Sequence, residues 1–166
     1  MKTLLVTDTN ILIDLLAVKM EGMLFQIGAQ ICTTDFVMGE LTQHDERERM
    51  ENFVDAGLLR VTSFEDVEPI LLMPTKRNGL KIADRSALFI ALKEKAILLS
   101  GDGDLRKEAQ EKGVEVHGAI WLFEIFVEQM LIAPTDAYEV LVAMLSVGRR
   151  IPEGVIEELA VKWGMK

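Results

Sequence analysis

The sequence predicts a three-layer α/β/α fold, in which a central parallel sheet lies between helices and further helices follow at the C-terminal end. Two observations predict it. Short apolar segments alternate with helical segments up to residue 117, and parallel strands need connections of this kind. The apolar segments are also apolar throughout, as strands buried on both faces are. We therefore expect helices to cover both sides of the sheet.

The first part of the chain is predicted to contain three apolar strands, at residues 3–8, 30–34 and 58–62. The helical segments predicted between them are 11–16, 20–27, 36–41 and 45–56. The last of these pairs Asp45 with Arg49 and Arg47 with Glu51, four positions apart, which is typical of a helix that faces solvent.

The second part is predicted to contain a helix at 82–95, a strand at 96–100, a helix at 105–112 and a strand at 114–117. Three helices are predicted after it, at 119–131, 135–146 and 152–163. No linker is long enough to separate a second domain. We expect a single domain over residues 1–166, with a core of about 1–131 and a helical C-terminal extension over 132–166. The last helix carries an apolar stripe expected to pack on that domain: Val155, Ile156, Leu159, Ala160 and Trp163.

Composition excludes several classes of protein. The single cysteine, Cys32, excludes a disulfide framework and a cysteine-rich zinc site, and we expect it to be buried in a strand. The net charge of −9 argues against a broad basic surface for nucleic acid. It does not exclude a nuclease whose carboxylates surround metal ions, because the charge of the ions is not counted in a sequence.

The apolar segments indicate neither a signal peptide nor a membrane span. The first apolar segment is short and is interrupted by Asp8. The longest one, 119–133, carries Glu124, Glu128 and Gln129. We expect a soluble cytoplasmic protein with no membrane partner.

Two acids follow predicted strands, where ligands bind in parallel α/β folds. Asp8 closes the first strand, and Asp102 follows the strand at 96–100 with a glycine on either side. Asp8 has a second interpretation as the N-cap of the next helix, unless Asn10 is the cap. Asp104 is the expected N-cap of the helix at 105–112, which leaves Asp102 as the ligand and Asp104 as a possible fifth acid.

Two further acids share apolar helix faces. Glu40 lies four positions after Phe36, and Asp84 precedes apolar residues three, four and seven positions later. A carboxylate directed at an apolar core needs a partner, and a metal ion is one such partner. The alternative for Glu40 is that its side chain reaches solvent. The alternative for Asp84 is that it caps its helix. If Asn78 is the cap instead, Asp84 lies a full turn inside the helix and cannot be the cap. Asp14, within the first helix, is expected to be solvated or bonded locally.

Four clustered carboxylates without cations would repel and raise one another's pKa values. Mg²⁺ or Mn²⁺, which prefer oxygen ligands, would offset this repulsion. One or two such ions orient a phosphodiester, activate water and stabilise the leaving oxygen.

Four segments of the chain resemble, in order, the acidic motifs of PIN-domain nucleases, a family that includes the VapC-like toxins of toxin–antitoxin pairs. They are residues 8–14 (DTNILID), 37–41 (VMGEL), 83–87 (ADRSA) and 100–106 (SGDGDLR). The resemblance implies Mg²⁺ or Mn²⁺ bound by catalytic acids, endonucleolytic cleavage of RNA, and adjacent strands for the first and fourth motifs. The implied acids are Asp8, Glu40, Asp84 and Asp102, with Asn10 and Ser100 steadying metal-bound water or substrate.

The resemblance covers about residues 1–120 and has two departures from the family pattern. Lys81 stands where a small polar residue commonly starts the helix, and the helices after Leu131 exceed those of the shortest toxins. The chain therefore resembles a different PIN-like branch more closely, and a toxin role follows less directly than nuclease chemistry.

The expected partners are an RNA substrate, an antitoxin protein and a second copy of the chain in a homodimer. Lys81, Arg85 and Arg106 lie near the acids in sequence and are candidate phosphate contacts, with ordinary surface charge as the alternative. His44 and His117 belong to no recognisable motif and are expected to be structural or exposed.

Two other functions are alternatives to the nuclease. In a non-catalytic PIN-like module, the same acids would hold an ion or a partner's arginine, and the helix at 119–133 would face that partner. A phosphatase or receiver domain would use Asp8 as phosphoryl acceptor, but residue 10 is Asn10 rather than a second acid, and no suitably placed lysine follows.

Overall fold

A computed structural model describes residues 2–149, 151–152 and 154–165 and contains a five-stranded sheet. All strand pairs are parallel, and the strand order is β3-β2-β1-β4-β5. The predicted fold class is confirmed, and the five strands fall within the predicted segments. They are β1 (Leu4–Thr7), β2 (Gln30–Thr34), β3 (Leu59–Thr62), β4 (Ile97–Leu99) and β5 (Val116–His117).

Nine α-helices connect and follow these strands within the described residues. They are α1 (Thr9–Ala17), α2 (Asp35–Gly39), α3 (His44–Asp55), α4 (Glu68–Leu72), α5 (Ile82–Glu94), α6 (Gly103–Glu111), α7 (Ala119–Glu128), α8 (Pro134–Ser146) and α9 (Val155–Lys162).

Four elements differ from the sequence-based expectation. The segment predicted as helix at 20–27 is a 3₁₀ helix, Glu21–Gln26, and α4 was not expected. Helix α7 ends before Met130, whose φ of 59° is left-handed. Of the helix predicted at 152–163, residue 153 lies outside the described residues, and α9 begins at Val155.

Alternate strand residues face opposite helical layers, which gives the three layers. Leu5, Ile31 and Leu99 pack with residues of α1, α3 and α7. Val6 and Cys32 lie on the other face with residues of α5 and α6. Cys32 is fully buried in β2, as expected, and burial raises the pKa of its thiol to about 11.

The C-terminal helices share the core of the sheet. Leu141 of α8 and Leu159 of α9 belong to the same buried cluster as Leu5 of β1. The apolar stripe expected on the last helix packs against this cluster through Ile156 and Trp163. Within the described residues, no helix is both long and apolar enough to cross a membrane.

The sheet changes direction at its central strand, β1. The chain proceeds from β1 through β2 to β3 on one side and continues with β4 and β5 on the other. In sheets of this kind, a crevice forms outside the carboxyl ends of the two strands at the switch point. Here that position lies beyond Thr7 and Leu99, which are paired neighbours.

Candidate active site

Asp8 lies at the switch point, directly after β1. Its backbone N–H donates to the Leu99 carbonyl at 3.0 Å, which joins the ends of β1 and β4. Its Oδ1 accepts from the Ile11 N–H at 2.9 Å and caps α1, so the alternative in which Asn10 is the cap is wrong. Oδ2 is buried and has no hydrogen-bond partner among the described residues. One carboxylate oxygen therefore has a structural role, and the other is unsatisfied.

Burial raises the pKa of Asp8 from 3.8 to about 7. The Ser100 hydroxyl and the Ile11 N–H lower this pKa, whereas the charges of Asp84 and Asp102 raise it. Ser100 lies close to Asp8 but makes no aligned hydrogen bond that would satisfy Oδ2. A carboxylate in this environment needs either a proton or a nearby cation.

Asp102 caps α6, a role that the sequence analysis assigned to Asp104. The Asp102 Oδ1 accepts from the N–H groups of Asp104 at 2.9 Å and Leu105 at 3.1 Å. Its own N–H donates to the Ser100 hydroxyl at 3.1 Å. The assignment to Asp104 is wrong because α6 begins at Gly103, so Asp104 is an exposed residue of the first turn. As with Asp8, capping uses only one oxygen of Asp102.

Glu40 reaches the site from the end of α2, a helix shorter than predicted. The helix ends at Gly39, and Glu40 is a half-buried C-cap residue rather than part of a helical face. Its Oε1 accepts from the Thr9 hydroxyl at 2.5 Å, which fixes the carboxylate against the start of α1. Oε2 is left for another ligand.

Asp84 stands in the first turn of α5. The helix begins at Ile82, and the Lys81 N–H donates to Asp84 Oδ2 at 3.0 Å. The alternative that Asn78 caps the helix is therefore wrong. Burial raises the pKa of Asp84; the Lys81 N–H lowers it, while the charges of Asp102 and Glu40 raise it.

Two buried hydroxyls tie the Glu40 and Asp84 segments together. The Thr34 hydroxyl accepts from the Val37 N–H at 3.1 Å and lies 2.7 Å from the Ser86 hydroxyl. Ser86 donates to the Ala83 carbonyl at 2.7 Å, so Thr34 donates to Ser86. This chain joins the ends of β2 and α2 to the first turn of α5 and holds the two acids on one side of the sheet edge.

The four acids act electrostatically as one cluster. Asp84 and Asp102 raise the pKa of Asp8, and Glu40 with Asp102 raises that of Asp84. Each carboxylate is fixed through one oxygen by a protein N–H or O–H. Among the described residues, however, no group of three or more acidic, histidine or cysteine side chains is gathered closely enough to hold an ion.

The donor set nevertheless fits a hydrated divalent cation. Mg²⁺ is usually held by only one or two carboxylates and keeps several of its waters. The ligands here are all oxygens, and Asp8 Oδ2 is a buried acceptor without a donor. Asp8 and Asp102, at the ends of adjacent strands, are the residues best placed to hold such an ion directly.

The predicted phosphate contacts have different environments. The Arg85 guanidinium donates to the carbonyls of Ile70, Leu71 and Met73 and to the Thr75 hydroxyl, at 2.7–3.2 Å. Its donors therefore hold the segment after α4, and the structure gives Arg85 a structural role. Lys81 is exposed beside Asp84.

A cleft of about 790 Å³ opens beside the acids. One wall carries Asn10 of α1 and Gly101 of the loop that precedes Asp102. Residues between α8 and α9 and at the start of α9 also line the cleft: Gly148, Arg149, Ile151, Pro152 and Val155. Other residues that line the cleft are Ile11, Asp14, Arg106, His117, Gly118, Ala119, Ile120, Trp121 and Glu124.

Three side chains of the cleft were not assigned there by the sequence analysis. Asp14 was expected to be solvated or bonded locally, but Arg149, far along the chain, lies 3.3 Å from its Oδ1. Burial raises the pKa of Asp14, and Arg149 lowers it. The His117 and Trp121 rings are stacked, with centroids 4.2 Å apart and planes 7° from parallel. The position of His117 at the end of a strand was the only sequence signal, because Trp121 lies in a mostly apolar stretch.

The acids at the carboxyl edge of a parallel α/β/α sheet define a class of protein, and comparison with known families identifies it. The family model described as PIN domain (DUF3368) matches residues 4–165. The chain therefore belongs to the PIN domain family. PIN domains are in general nucleases that use divalent metals, so this membership supports a nuclease-like function.

The chain is also similar to several solved structures. A PilT N-terminus domain protein from the archaeon Sulfolobus solfataricus P2 is 15% identical, with 76% of this chain and 92% of that chain covered and a TM-score of 0.43. The PIN domain endonuclease Utp24 is 14% identical, with 70% and 84% covered and a TM-score of 0.49. PAE2754 from Pyrobaculum aerophilum is 17% identical, with 70% and 92% covered and a TM-score of 0.47. Similarity at this level adds nothing to the family assignment. No curated protein matches the chain.

Proposed function

We propose that the chain is a divalent-metal-dependent endoribonuclease that hydrolyses phosphodiester bonds of RNA. The observation that carries the proposal is the buried Asp8 carboxylate, whose Oδ2 has no donor among the described residues and whose pKa is raised to about 7. A structural N-cap needs one oxygen and gains nothing from burying a second one unsatisfied. A cation site at the switch point accounts for both oxygens.

The residues of the cluster have separate roles in this proposal. Asp8 and Asp102 hold Mg²⁺ or Mn²⁺ with the oxygens that capping leaves, while Glu40 and Asp84 supply the remaining negative charge and orient bound water. Asn10, exposed on the first turn of α1, and Ser100, buried between Asp8 and Asp102, steady water or substrate. The bound ion supplies Lewis-acid polarisation of the phosphate and lowers the pKa of its water.

The test is cleavage of end-labelled single-stranded RNA by the wild type and by Asp8→Asn, with Mg²⁺, with Mn²⁺ and with EDTA. Cleavage that requires the metal and is lost in Asp8→Asn is the expected result. Asp45→Asn is the matched control, because Asp45 is an acid with an 81% exposed side chain that pairs with Arg49. Equal cleavage by the wild type and Asp8→Asn would reject the assigned site.

The alternative is a PIN-like module that binds metal or protein without turnover. This alternative is favoured by the spacing of the acids, because no three of them among the described residues are close enough to hold one ion. The helix expected to face a partner, α7, argues against this alternative. Its Glu124 already pairs with Lys162 of α9 at 2.5 Å and is therefore engaged within the chain. Calorimetric Mn²⁺ binding that Asp8→Asn abolishes, without RNA cleavage under any condition, would establish this alternative.

Partners and location follow as further proposals. We propose a cytoplasmic protein that forms a homodimer or binds an antitoxin through its C-terminal helices, where large apolar side chains are exposed. These are Val142, Leu145, Val147 and Val161. Light scattering during size-exclusion chromatography tests the dimer: a monomeric mass at high concentration would reject it and leave the antitoxin as the remaining partner for this surface.

A further inference from the structure

We propose that the cleft beside the acids binds an unpaired nucleotide of single-stranded RNA, with its base stacked on the His117–Trp121 pair and a neighbouring phosphate on Arg106. This inference rests on the proposed function. It specifies the kind of RNA that the site accepts and assigns three residues outside the acidic cluster to substrate binding.

Two residues that line the cleft are neighbours of the acids in the sequence. Gly101, in the cleft wall, directly precedes Asp102, and Asn10 lies two residues after Asp8. A strand of RNA with a phosphate at the acids therefore places an adjacent nucleotide in the cleft. The volume of about 790 Å³ lies in the range of pockets that enclose small organic ligands.

The His117 and Trp121 rings supply a flat aromatic surface. They are stacked nearly parallel, and both line the cleft, with Trp121 partly buried against the core. His117 is held by Glu115, whose carboxylate lies 2.8 Å from Nε2. Stacking on an aromatic side chain accepts any base, because every base has a π face, but the base must first be unpaired. This geometry selects single strands over duplexes.

Arg106 is the cation in this cleft that no acid pairs with among the described residues. Arg149 is paired with Asp14, and Lys162 with Glu124. Arg106 donates through Nη1 to the Ser100 carbonyl at 3.0 Å, which anchors it beside the end of β4. Its remaining N–H groups are directed by this anchor and are suited to a phosphate.

Gly118 makes room for the Arg106 guanidinium. A Cβ atom at this position would lie 2.7 Å from Arg106 Nη1. A larger residue would displace the guanidinium from the cleft wall, so Gly118 is a positioning residue for the arginine.

The net charge also favours a stacking site. With a net charge of −9, the protein gains little from long-range attraction to RNA. Affinity must then come from base stacking and from very few phosphate contacts. For single strands, log K falls with log salt by ~0.7 per neutralised phosphate, so we expect a total slope close to that of one contact.

Tryptophan fluorescence tests the proposal directly. The chain has two tryptophans, so Trp163→Phe leaves Trp121 as the only reporter. This variant is titrated in EDTA, so that no cleavage occurs, with a short single-stranded oligoribonucleotide, with the same strand containing abasic residues, and with the blunt duplex. We expect quenching by the intact strand and a Kd at least about fivefold higher for the abasic strand and the duplex.

Enzyme assays with Mg²⁺ provide the second readout. In Trp121→Leu, checked for folding by circular dichroism, we expect KM for RNA to rise at least about fivefold with kcat nearly unchanged, because stacking contributes to substrate binding. Trp163→Phe should retain the KM of the wild type. If Trp121→Leu does not fold, the abasic strand supplies the same comparison with an unaltered cleft.

The possible outcomes separate this inference from the proposed function. Cleavage with an unchanged KM in Trp121→Leu, or no preference for the intact single strand, overturns the stacking site and leaves the nuclease intact. Quenching and base-dependent affinity without any cleavage support the cleft and reject the nuclease. Quenching that is equal for intact and abasic strands shows phosphate binding alone and also overturns the proposal.

Discussion

Asp8 has two incompatible requirements at the level of the single residue. Its backbone and Oδ1 join β1, β4 and α1, and these bonds keep it buried. Burial in turn opposes the charge that a metal ligand needs, as the raised pKa shows. A cation at Oδ2 would restore the ionised form, so protonation and metal binding compete at this carboxylate.

This competition predicts how stability depends on pH without metal. The pKa of Asp8 is about 7 in the folded protein and 3.8 in its ordinary state. The protonated carboxyl therefore contributes fully to stability below pH 3.8, and this contribution is lost as the pH rises to about 7. The expected slope is ~1.4 kcal/mol per pH unit over that interval.

Asp8→Asn isolates the effect. Asn caps helices as well as Asp and carries no charge, so in EDTA the variant should be more stable than the wild type at pH 8 and equally stable at pH 4. Urea unfolding at both pH values measures this. If the difference in unfolding free energy between wild type and Asp8→Asn is the same at pH 4 and pH 8, ionisation of Asp8 does not destabilise the protein. Asp45→Asn, which changes an exposed acid, is the control.

Thr9 predicts a second effect at the same scale. Thr9→Val removes the 2.5 Å hydrogen bond to Glu40 while preserving shape. Outer-shell partners of metal ligands typically contribute ~10–100-fold in metal affinity or activity, and we expect a loss of that size in kcat/KM. Thr9→Ser, which keeps the hydroxyl, should recover most of it. Wild-type activity in Thr9→Val would contradict a role in catalysis for Glu40 as positioned by Thr9.

The functional roles of the four acids stay a prediction, whereas the predicted helix caps can be compared with the structure. Asp8, Glu40, Asp84 and Asp102 were chosen by position relative to strand ends and apolar faces, and the fold gathers them electrostatically. The caps were predicted wrongly, because Asn and Asp are equally good N-caps and α1 and α6 each begin two residues earlier than expected.

Among the elements, α4 and the loop after it receive side-chain hydrogen bonds from Arg85, while Ile70 is fully buried. The Arg85 donors bind three carbonyls and the Thr75 hydroxyl of this segment. Hydrogen bonds to a charged group contribute ~1.5–3 kcal/mol, so Arg85→Gln should lower the free energy of unfolding by at least ~1.5 kcal/mol. Amide hydrogen exchange should also accelerate at residues 68–75.

Arg47→Gln is the control for that experiment. Arg47 forms an exposed pair with Glu51 on α3, and such pairs contribute ~0–1 kcal/mol. If Arg85→Gln is as stable as Arg47→Gln but binds RNA more weakly, the original assignment of Arg85 to phosphate binding would be restored.

Long helices and continuously apolar strands were predicted well, and short helices were not. Helix α5 and all five strands follow their predicted segments closely. Helix α4 has only five residues, with Pro69 in its first turn, and depends on the Arg85 contacts rather than on local propensity. A tertiary contact of that kind leaves no periodic signal.

For the whole molecule, the shared core predicts that the helical extension over 132–166 does not separate from the rest of the single domain expected from the sequence. Leu141, Met144, Ile156 and Leu159 are buried with Leu5 of β1. Removing 132–166 would expose their apolar contact surface, at ~25 cal/mol per Å². We expect the truncated chain to bind a hydrophobic dye and to unfold without a cooperative transition.

Calorimetry of residues 1–131 measures this result against the full chain. A sharp transition near that of the full chain would show that the extension is a separate unit. The sequence could not decide what the last helix packs against. An amphipathic helix has the same residue pattern whether it packs on its own domain, forms a lid or contacts a partner.

The position of the cleft wall has a consequence for synthesis. The four acids have residue numbers up to 102, whereas part of the cleft wall is formed by Gly148, Arg149, Ile151, Pro152 and Val155. A nascent chain emerges from its N-terminus, so a ribosome paused before residue 148 would present the acids without this part of the wall. For a protein proposed to cut RNA, the messenger from which it is being translated is the nearest strand, and this order delays the complete site until the cleft-lining residues after α8 have been made.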